Sequence, residues 1–464
     1  MKEKYSVVET LEIVIGMRKS MFAFLALFLL ATLVSLQKVD IPDVKASLDI
    51  YQGDLILTDN NVTVIEGRFD INGSIFVEDN ATLVLKNAIL NFTQEEYFQF
   101  TMIFRNPANG NPRLQVENAT IASSGYALEI DLYGNSSASV SNLTAPTVYL
   151  YGYGSSVMAI SNSTILRVGG MYSAVVSLSN CDLLFAVEAR DDSSFSIFNC
   201  TLQILQAYSS RIDVLNSTIK DYVALVTFPA NCTVDGLEPG FFDYWDFQQN
   251  CSVLTAPGGW ASNLTLTDTQ VEGWGFEIYE DSNVTISNSE LQRIYAPNFS
   301  DVSVYNSAIM SLKAFVSSRF WLVNSTSNLY DIRDQSEVYI CWYLDVHVID
   351  SIGQDVPSAS VTATYPNATI AESKLTNAIG WARLTLMEKK MNATGEYVIG
   401  NYVVEATYES HSNSTETGMM TENKQITLAL KDFVIPEFPS LLILPLFILA
   451  TLSAAIVCKR KRTI

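Results

Sequence analysis

Along most of this chain apolar and polar residues alternate in short runs, and each run ends on an asparagine followed by a small residue. Three successive runs show the unit: Val176-x-Leu178-x-Asn180-Cys181-x-Leu183, Phe195-x-Ile197-x-Asn199-Cys200-x-Leu202 and Ile212-x-Val214-x-Asn216-Ser217-x-Ile219. Apolar residues two apart describe a strand with one buried face. Asparagine beside a small residue describes a sharp bend, because asparagine tolerates the left-handed backbone region. Further copies centre on Asn87, Asn118, Asn162, Asn288 and Asn306, with imperfect copies at Asn142 and Asn324 and Asp268 in the asparagine place. Successive gaps are 20, 18, 19 and 17 residues between 142 and 216, then 20, 18 and 18 between 268 and 324.

A strand and a bend every 18 to 20 residues cannot cover its own apolar face, but stacked copies bury a continuous core. The pattern therefore predicts an all-β chain with a parallel β-helix over residues 45–340. That length gives about 15 coils and a rod roughly 70 Å long, with the asparagines stacked as an internal ladder. The stretch resembles the right-handed parallel β-helix repeats of secreted proteins and polysaccharide lyases, and the resemblance rests on the ladder motif rather than on a catalytic signature. A string of β-sandwiches would space its turns irregularly, which the gaps argue against. The pattern lapses for 52 residues between Asn216 and Asp268, a stretch that holds Phe241-Phe242-Asp243-Tyr244-Trp245-Asp246-Phe247. Such a run either packs over the side of the helix or offers sugar-stacking rings.

From 341 to 430 the alternating runs lengthen, as in Tyr343-Leu344-Asp345-Val346-His347-Val348-Ile349, and turns follow at Gly353 and Gly380. This predicts a small β-sandwich. With Gly353, Val356, Pro357 and Gly380 it resembles the carboxypeptidase-regulatory-like modules of surface proteins, where such a module serves as a stalk.

Both ends are apolar. Met21–Leu36, behind Arg18 and Lys19, reads as a secretory signal or signal-anchor within residues 1–40. Leu441–Val457 carries no charge and precedes Lys459-Arg460-Lys461-Arg462, so residues 431–464 read as a single membrane span with a cytoplasmic basic tail. The bulk of the chain is then extracellular. Pro436-Glu437-Phe438-Pro439, the span and the tail together resemble the C-terminal sorting signals of archaeal surface proteins, which implies either processing near the tetrad, with a sorting enzyme as a partner, or plain anchoring; a rigid proline-bounded linker before a stop-transfer helix is the alternative.

Nineteen of the 31 asparagines stand in N-x-[ST] acceptors, against about five expected by chance for this Ser and Thr content, and such acceptors mark exposed loops in secreted chains. Of the 13 acceptors outside the repeat, those expected to be occupied are Asn61, Asn80, Asn91, Asn263, Asn283, Asn298, Asn367, Asn392 and Asn413. Cys181 and Cys200 hold equivalent places one coil apart, about 5 Å between α-carbons and within disulfide reach; Cys232 and Cys251 are also 19 residues apart in matching contexts. Both pairs are expected to be bridged, with buried free thiols in the stack as the alternative. The net charge of −21, with no basic stripe between the apolar blocks, excludes nucleic acid as a partner.

Candidate chemistry is sparse. The two histidines, His347 and His411, lie in the sandwich region, and no Cys-x-x-Cys, P-loop, Rossmann or HExxH pattern occurs. No catalytic residue, cofactor or metal is expected. The best cluster for a lyase or hydrolase is Glu188-Ala189-Arg190-Asp191-Asp192 with Arg211 one coil on, and charged residues outside a coil are ordinarily solvated decoration. The expectation is a non-enzymatic, glycosylated, membrane-anchored surface rod with a structural or adhesive role, whose partners are other surface proteins or glycans; a glycan-binding module is the first alternative, and a polysaccharide lyase or hydrolase the enzymatic one.

Overall fold

A computed structural model describes residues 43–44, 50–105, 110–225, 262–273, 275–278, 282–297, 299–435 and 448–453. The repeat folds as the alternation dictates. In the unit Ser194–Phe198 and Thr201–Tyr208, Phe195, Ile197 and Leu202 turn inward and are fully buried, while Ser196 and Phe198 face out. The next strand, Arg211–Leu215, lies parallel and in register, Phe195 opposite Ile212 and Ile197 opposite Val214. Each longer strand bends after its second residue, as between Leu202 and Ile204. One coil therefore presents three faces around a single apolar column that runs from Leu57 to Ile340.

The stack is a β-solenoid of about 12 turns, fewer than the 15 expected, or roughly 58 Å at about 4.8 Å per coil. The shortfall has a cause in the register. Arg211 pairs directly with Asn263, and Thr218 with Gln270, so the 52-residue lapse contributes no coil of its own. Residues 226–261, including the aromatic run at 241–247, lie outside the described residues.

The bends behave as the sequence predicts. Asn87, Asn118, Asn142, Asn162, Asn180, Asn199, Asn216, Asp268, Asn288, Asn306 and Asn324 all hold φ between 47° and 53°. Their side chains do form a ladder: Asn199 Nδ2 donates to Asn180 Oδ1 at 2.7 Å, and Asn216 Nδ2 to Asn199 Oδ1 at 3.2 Å. The ladder is external, however, not internal, because these asparagines sit at an exposed corner. A residue with positive φ turns its side chain away from the core it follows.

The inner ladder belongs to the next residue. Ser163, Cys181, Cys200, Ser217, Thr269, Ser289, Ser307 and Ser325 are all buried. The Oγ of Ser307 accepts the backbone N–H of Ser289 at 3.0 Å, and the Oγ of Ser325 accepts that of Ser307 at 3.0 Å. Each hydroxyl also donates to the carbonyl two residues earlier, Ser307 to Tyr305 at 2.7 Å and Ser325 to Val323 at 2.9 Å. A corner N–H that strand pairing cannot reach is thus satisfied by the following coil.

The last coil passes into a second unit through one strand, Glu337–Ile349. Its first half pairs in parallel with Arg319–Val323, and its residues from Glu337 to His347 pair antiparallel with Trp381–Asn392. That antiparallel strand covers an edge that would otherwise be open to further pairing. The strands Ser360–Thr364, Ile370–Leu375, Asn401–Tyr408 and His411–Met419 form a separate antiparallel sheet. Leu344, Val346 and Leu384 from one sheet pack with Val361, Tyr402 and Val404 from the other in a second core. In the turn before Trp381, Gly380 (φ 72°) leaves no room for a Cβ, which would stand 2.7 Å from the Val348 carbonyl oxygen.

Terminal membrane helices are not seen among the described residues. The helical stretch there is 448–453, and no helix is long and apolar enough to cross a membrane. The signal segment 1–40 and most of 441–457 lie outside the described residues.

If the inner ladder holds the coils in register, Ser307→Ala should cost about 1–3 kcal/mol, the cost of orphaning the buried Ser289 N–H. Ser303→Ala, on the outward side of the neighbouring strand, should stay within about 0.5 kcal/mol. Denaturant midpoints of the two variants make the comparison.

Candidate functional site

One face of the solenoid departs from the rule that outward residues are solvated. It is built by the third strand segment of successive coils: Thr101–Arg105, Leu128–Leu132, the end of Ser137–Tyr153, and the ends of Thr164–Met171, Asp182–Arg190 and Thr201–Tyr208. In-register pairing aligns Glu129 with Tyr149 and Arg167, and Asp131 with Tyr151, Gly169, Glu188 and Gln206. Asp131, Tyr151, Glu188, Gln206 and Tyr208 point away from the core yet are buried. Large side chains on adjacent coils cover one another. A Cβ on Gly169 would lie 2.2 Å from the Tyr151 ring, so glycine is what lets that ring lie across the coil.

The charges fall into two groups. Glu188, expected to be solvated decoration, is 1% exposed and bridges Arg167 and Arg190, which corrects the reading of that cluster. Arg167 also sits over the rings of Tyr149, Tyr151 and Phe185, and Arg190 over Tyr208. The Glu188 carboxylate is thus ion-paired on both sides. Arg211 does not join it; Arg211 pairs with Asp213 on the surface at 3.6 Å. Asp191 and Asp192 occupy the corner with φ of 49° and 65°.

The second group lies two to three coils earlier. Tyr133 and Tyr153 stack at 4.7 Å and 10°, and the Tyr133 hydroxyl donates to Asp131 Oδ2 at 3.3 Å. Burial, and then the charge of Glu129, push the Asp131 carboxyl up to about 7. Burial raises Glu129 as well. The Tyr133 hydroxyl is pushed up to about 12, by burial first and the Asp131 charge second. Sequence reasoning missed this group. The signal was Glu129-x-Asp131-x-Tyr133 followed one coil later by Tyr149-x-Tyr151-x-Tyr153, outward positions too large and too acidic for decoration.

The other predicted residues are dispersed. His347 stacks on Trp381 at 4.4 Å and its Nε2 lies 2.7 Å from Asp355 Oδ1, a pairing on the sandwich surface with no nucleophile beside it. His411 Nδ1 lies 3.2 Å from the Lys431 carbonyl oxygen. Among the acceptor asparagines, Asn61, Asn80, Asn263, Asn283 and Asn367 are exposed. The Nδ2 of Asn91 donates to Asp70 at 2.7 Å, and that of Asn413 to the Ala429 carbonyl at 2.8 Å. Asn392 Oδ1 accepts from Thr394. Asn298, Cys232, Cys251 and Pro436–Pro439 lie outside the described residues.

Cys181 and Cys200 are neighbours in the stack, as predicted, but both are free thiols, a correction to the expected bridge. They stand in the serine ladder. Cys200 Sγ accepts the Cys181 N–H at 3.4 Å, and each thiol donates to the carbonyl two residues before it, at 3.3 and 3.2 Å. In-register strands hold equivalent Cβ atoms parallel and about 4.8 Å apart, whereas a disulfide needs them near 3.8 Å and turned towards each other.

No known protein family matches the chain, and no curated protein does. The solved structure of the Bacillus anthracis TIE protein is similar at 14% identity over 23% of this chain and 18% of that one, with a TM-score of 0.16. The chain thus matches less than a fifth of that protein's length, and the likeness carries no argument. Fold and site together define a β-solenoid protein with an appended two-sheet unit and one tyrosine-, arginine- and carboxylate-lined face.

Two outcomes follow. The double variant Cys181→Ser, Cys200→Ser should stay within about 1 kcal/mol of the parent, since serine is the ladder's usual residue; loss of a structural bridge would cost about 2–5 kcal/mol. For Asp131, the folded chain between about pH 4 and pH 7 holds a proton the unfolded chain has released, so stability falls as pH rises through that window. The full loss is on the order of 4 kcal/mol, and thermal melts across pH 4–8 should show it in the parent and not in Asp131→Asn.

Proposed function

We propose that the protein is a non-enzymatic, membrane-tethered surface rod with a structural or adhesive role. The observation that carries this reading is the continuity of the strand Glu337–Ile349. It belongs to the last coil and to the sandwich at once, so the solenoid and the following unit share one hydrogen-bonded frame. Asn423 Nδ2 extends the asparagine ladder across the junction by donating to Asn324 Oδ1 at 2.8 Å. Beyond the sandwich, the buried Asp350 carboxylate accepts the Ile435 N–H at 2.9 Å, immediately before Pro436.

In this reading the sandwich is a stalk, of the carboxypeptidase-regulatory-like kind that its glycine turns resemble, and residues 431–464 anchor it in the membrane. The Pro-Glu-Phe-Pro motif is where a sorting or processing enzyme acts. Glycans are carried on the exposed acceptors whose Nδ2 makes no hydrogen bond among the described residues: Asn61, Asn80, Asn263, Asn283 and Asn367. Presentation, not turnover, is the mechanism, and the pairing of Glu188 with both Arg167 and Arg190 supports that choice.

Cell fractionation with a membrane-impermeant amine label tests the reading. The full chain should be labelled on intact cells, stay with membranes in high salt, and enter the medium when residues 441–464 are deleted. Retention in the cytosol, unlabelled, would overturn it. Glycopeptide mass spectrometry of the same material should find Asn80 and Asn283 occupied and Asn413 bare.

A further inference from the structure

Three carboxylates among the described residues are fully buried, and two of them are compensated. Glu188 lies between two arginines. Asp350 accepts the N–H groups of Ile352, Gln354 and Ile435. Asp131 is the exception. It is 5% exposed, its Oδ1 has no hydrogen-bond partner, and its Oδ2 has only the 3.3 Å contact with Tyr133.

The half-buried Glu129 shares its face two residues away and forms no ion pair or hydrogen bond among the described residues. On the preceding coil the facing residues are Thr101, Ile103 and Arg105, and on the following coil Tyr149, Tyr151 and Tyr153. The neighbouring cations are already committed, Arg105 to Glu78 at 2.6 Å and Arg167 to Glu188. A fold that pairs its other buried carboxylates so completely leaves these two without a counter-charge, at a cost that partnering would remove.

We propose that Glu129 and Asp131 form a recognition site for an organic ammonium ion, bound beside the Tyr133–Tyr153 ring stack. A primary ammonium has three donors and no acceptor, which matches a set of acceptor oxygens. A calcium ion takes six to eight oxygens, and no group of three or more Asp, Glu, His or Cys side chains converges here among the described residues. A neutral hydroxyl would fill one lone pair and leave the negative charge buried. Each ring of the Tyr133–Tyr153 stack has one face covered by the other, and the pair forms a rim beside the carboxylates. This inference is independent of the membrane reading.

Calorimetry on the full chain with glucosamine, glucose, a linear diamine and calcium tests it. Glucosamine and the diamine represent two sources of the same group, and either or both should bind while glucose does not. Affinity should rise by about tenfold or more between pH 5.5 and 8, as Asp131 gives up its proton to the solvent. Asp131→Asn and Glu129→Gln should each weaken binding by about tenfold or more, while Asp131→Asn melts at the same or a higher temperature at pH 8, which separates lost recognition from lost folding. Glucose binding as well as glucosamine, calcium binding in place of amines, unchanged binding by Asp131→Asn, or no amine binding at about 10 mM would each overturn the proposal.

Discussion

The structure depends on one demand: at successive corners from Leu143 to Ser307 a buried backbone N–H must find an acceptor that strand pairing does not supply. From Ser163 onward the serine or cysteine after each left-handed asparagine answers it, reaching one coil back to a neighbour's N–H while donating within its own turn. The bond is directional and buried, so a coil that slipped by one residue would lose it and would also turn its apolar positions outward. Apolar burial supplies the larger share of the free energy. The corner bonds decide which stacking of those apolar strands is adopted.

That division explains what the sequence made legible. Phe195, Ile197 and Asn199 announce a strand and a left-handed bend by residue type alone, and the 17-to-20 spacing announces stacking. Which side of the bend the ladder occupies was not legible, because asparagine and the small residue after it are both plausible ladder members. Only the sign of φ at Asn199 sends its side chain out and Cys200 in. The expected Cys181–Cys200 bridge failed for the same reason. Sequence spacing put the two residues together, but the corner bond had already claimed both thiols.

The outer face was hidden by a different effect. Alternation assigns every second residue to solvent, which holds for a flat, isolated strand with small neighbours. Here equivalent outward residues on successive coils stand about 4.8 Å apart, and tyrosine or arginine at that spacing covers what lies beside it. Glu188 and Asp131 become buried by neighbours 20 residues away, a consequence invisible in any local window. Their fates then diverge, since arginines flank the one and acids and tyrosines flank the other.

The most direct test of the account is a pair of spin labels placed in one column, at the exposed positions Val157 and Asp301. Six in-register steps join them through Val175, Ser194, Arg211, Asn263 and Asn283. The step from Arg211 to Asn263 crosses the long lapse in the repeat. Pulsed electron resonance should give one narrow distance near 29 Å, six spacings of about 4.8 Å. A broad distribution, or a distance longer by the length of an extra coil or domain, would contradict a single continuous stack.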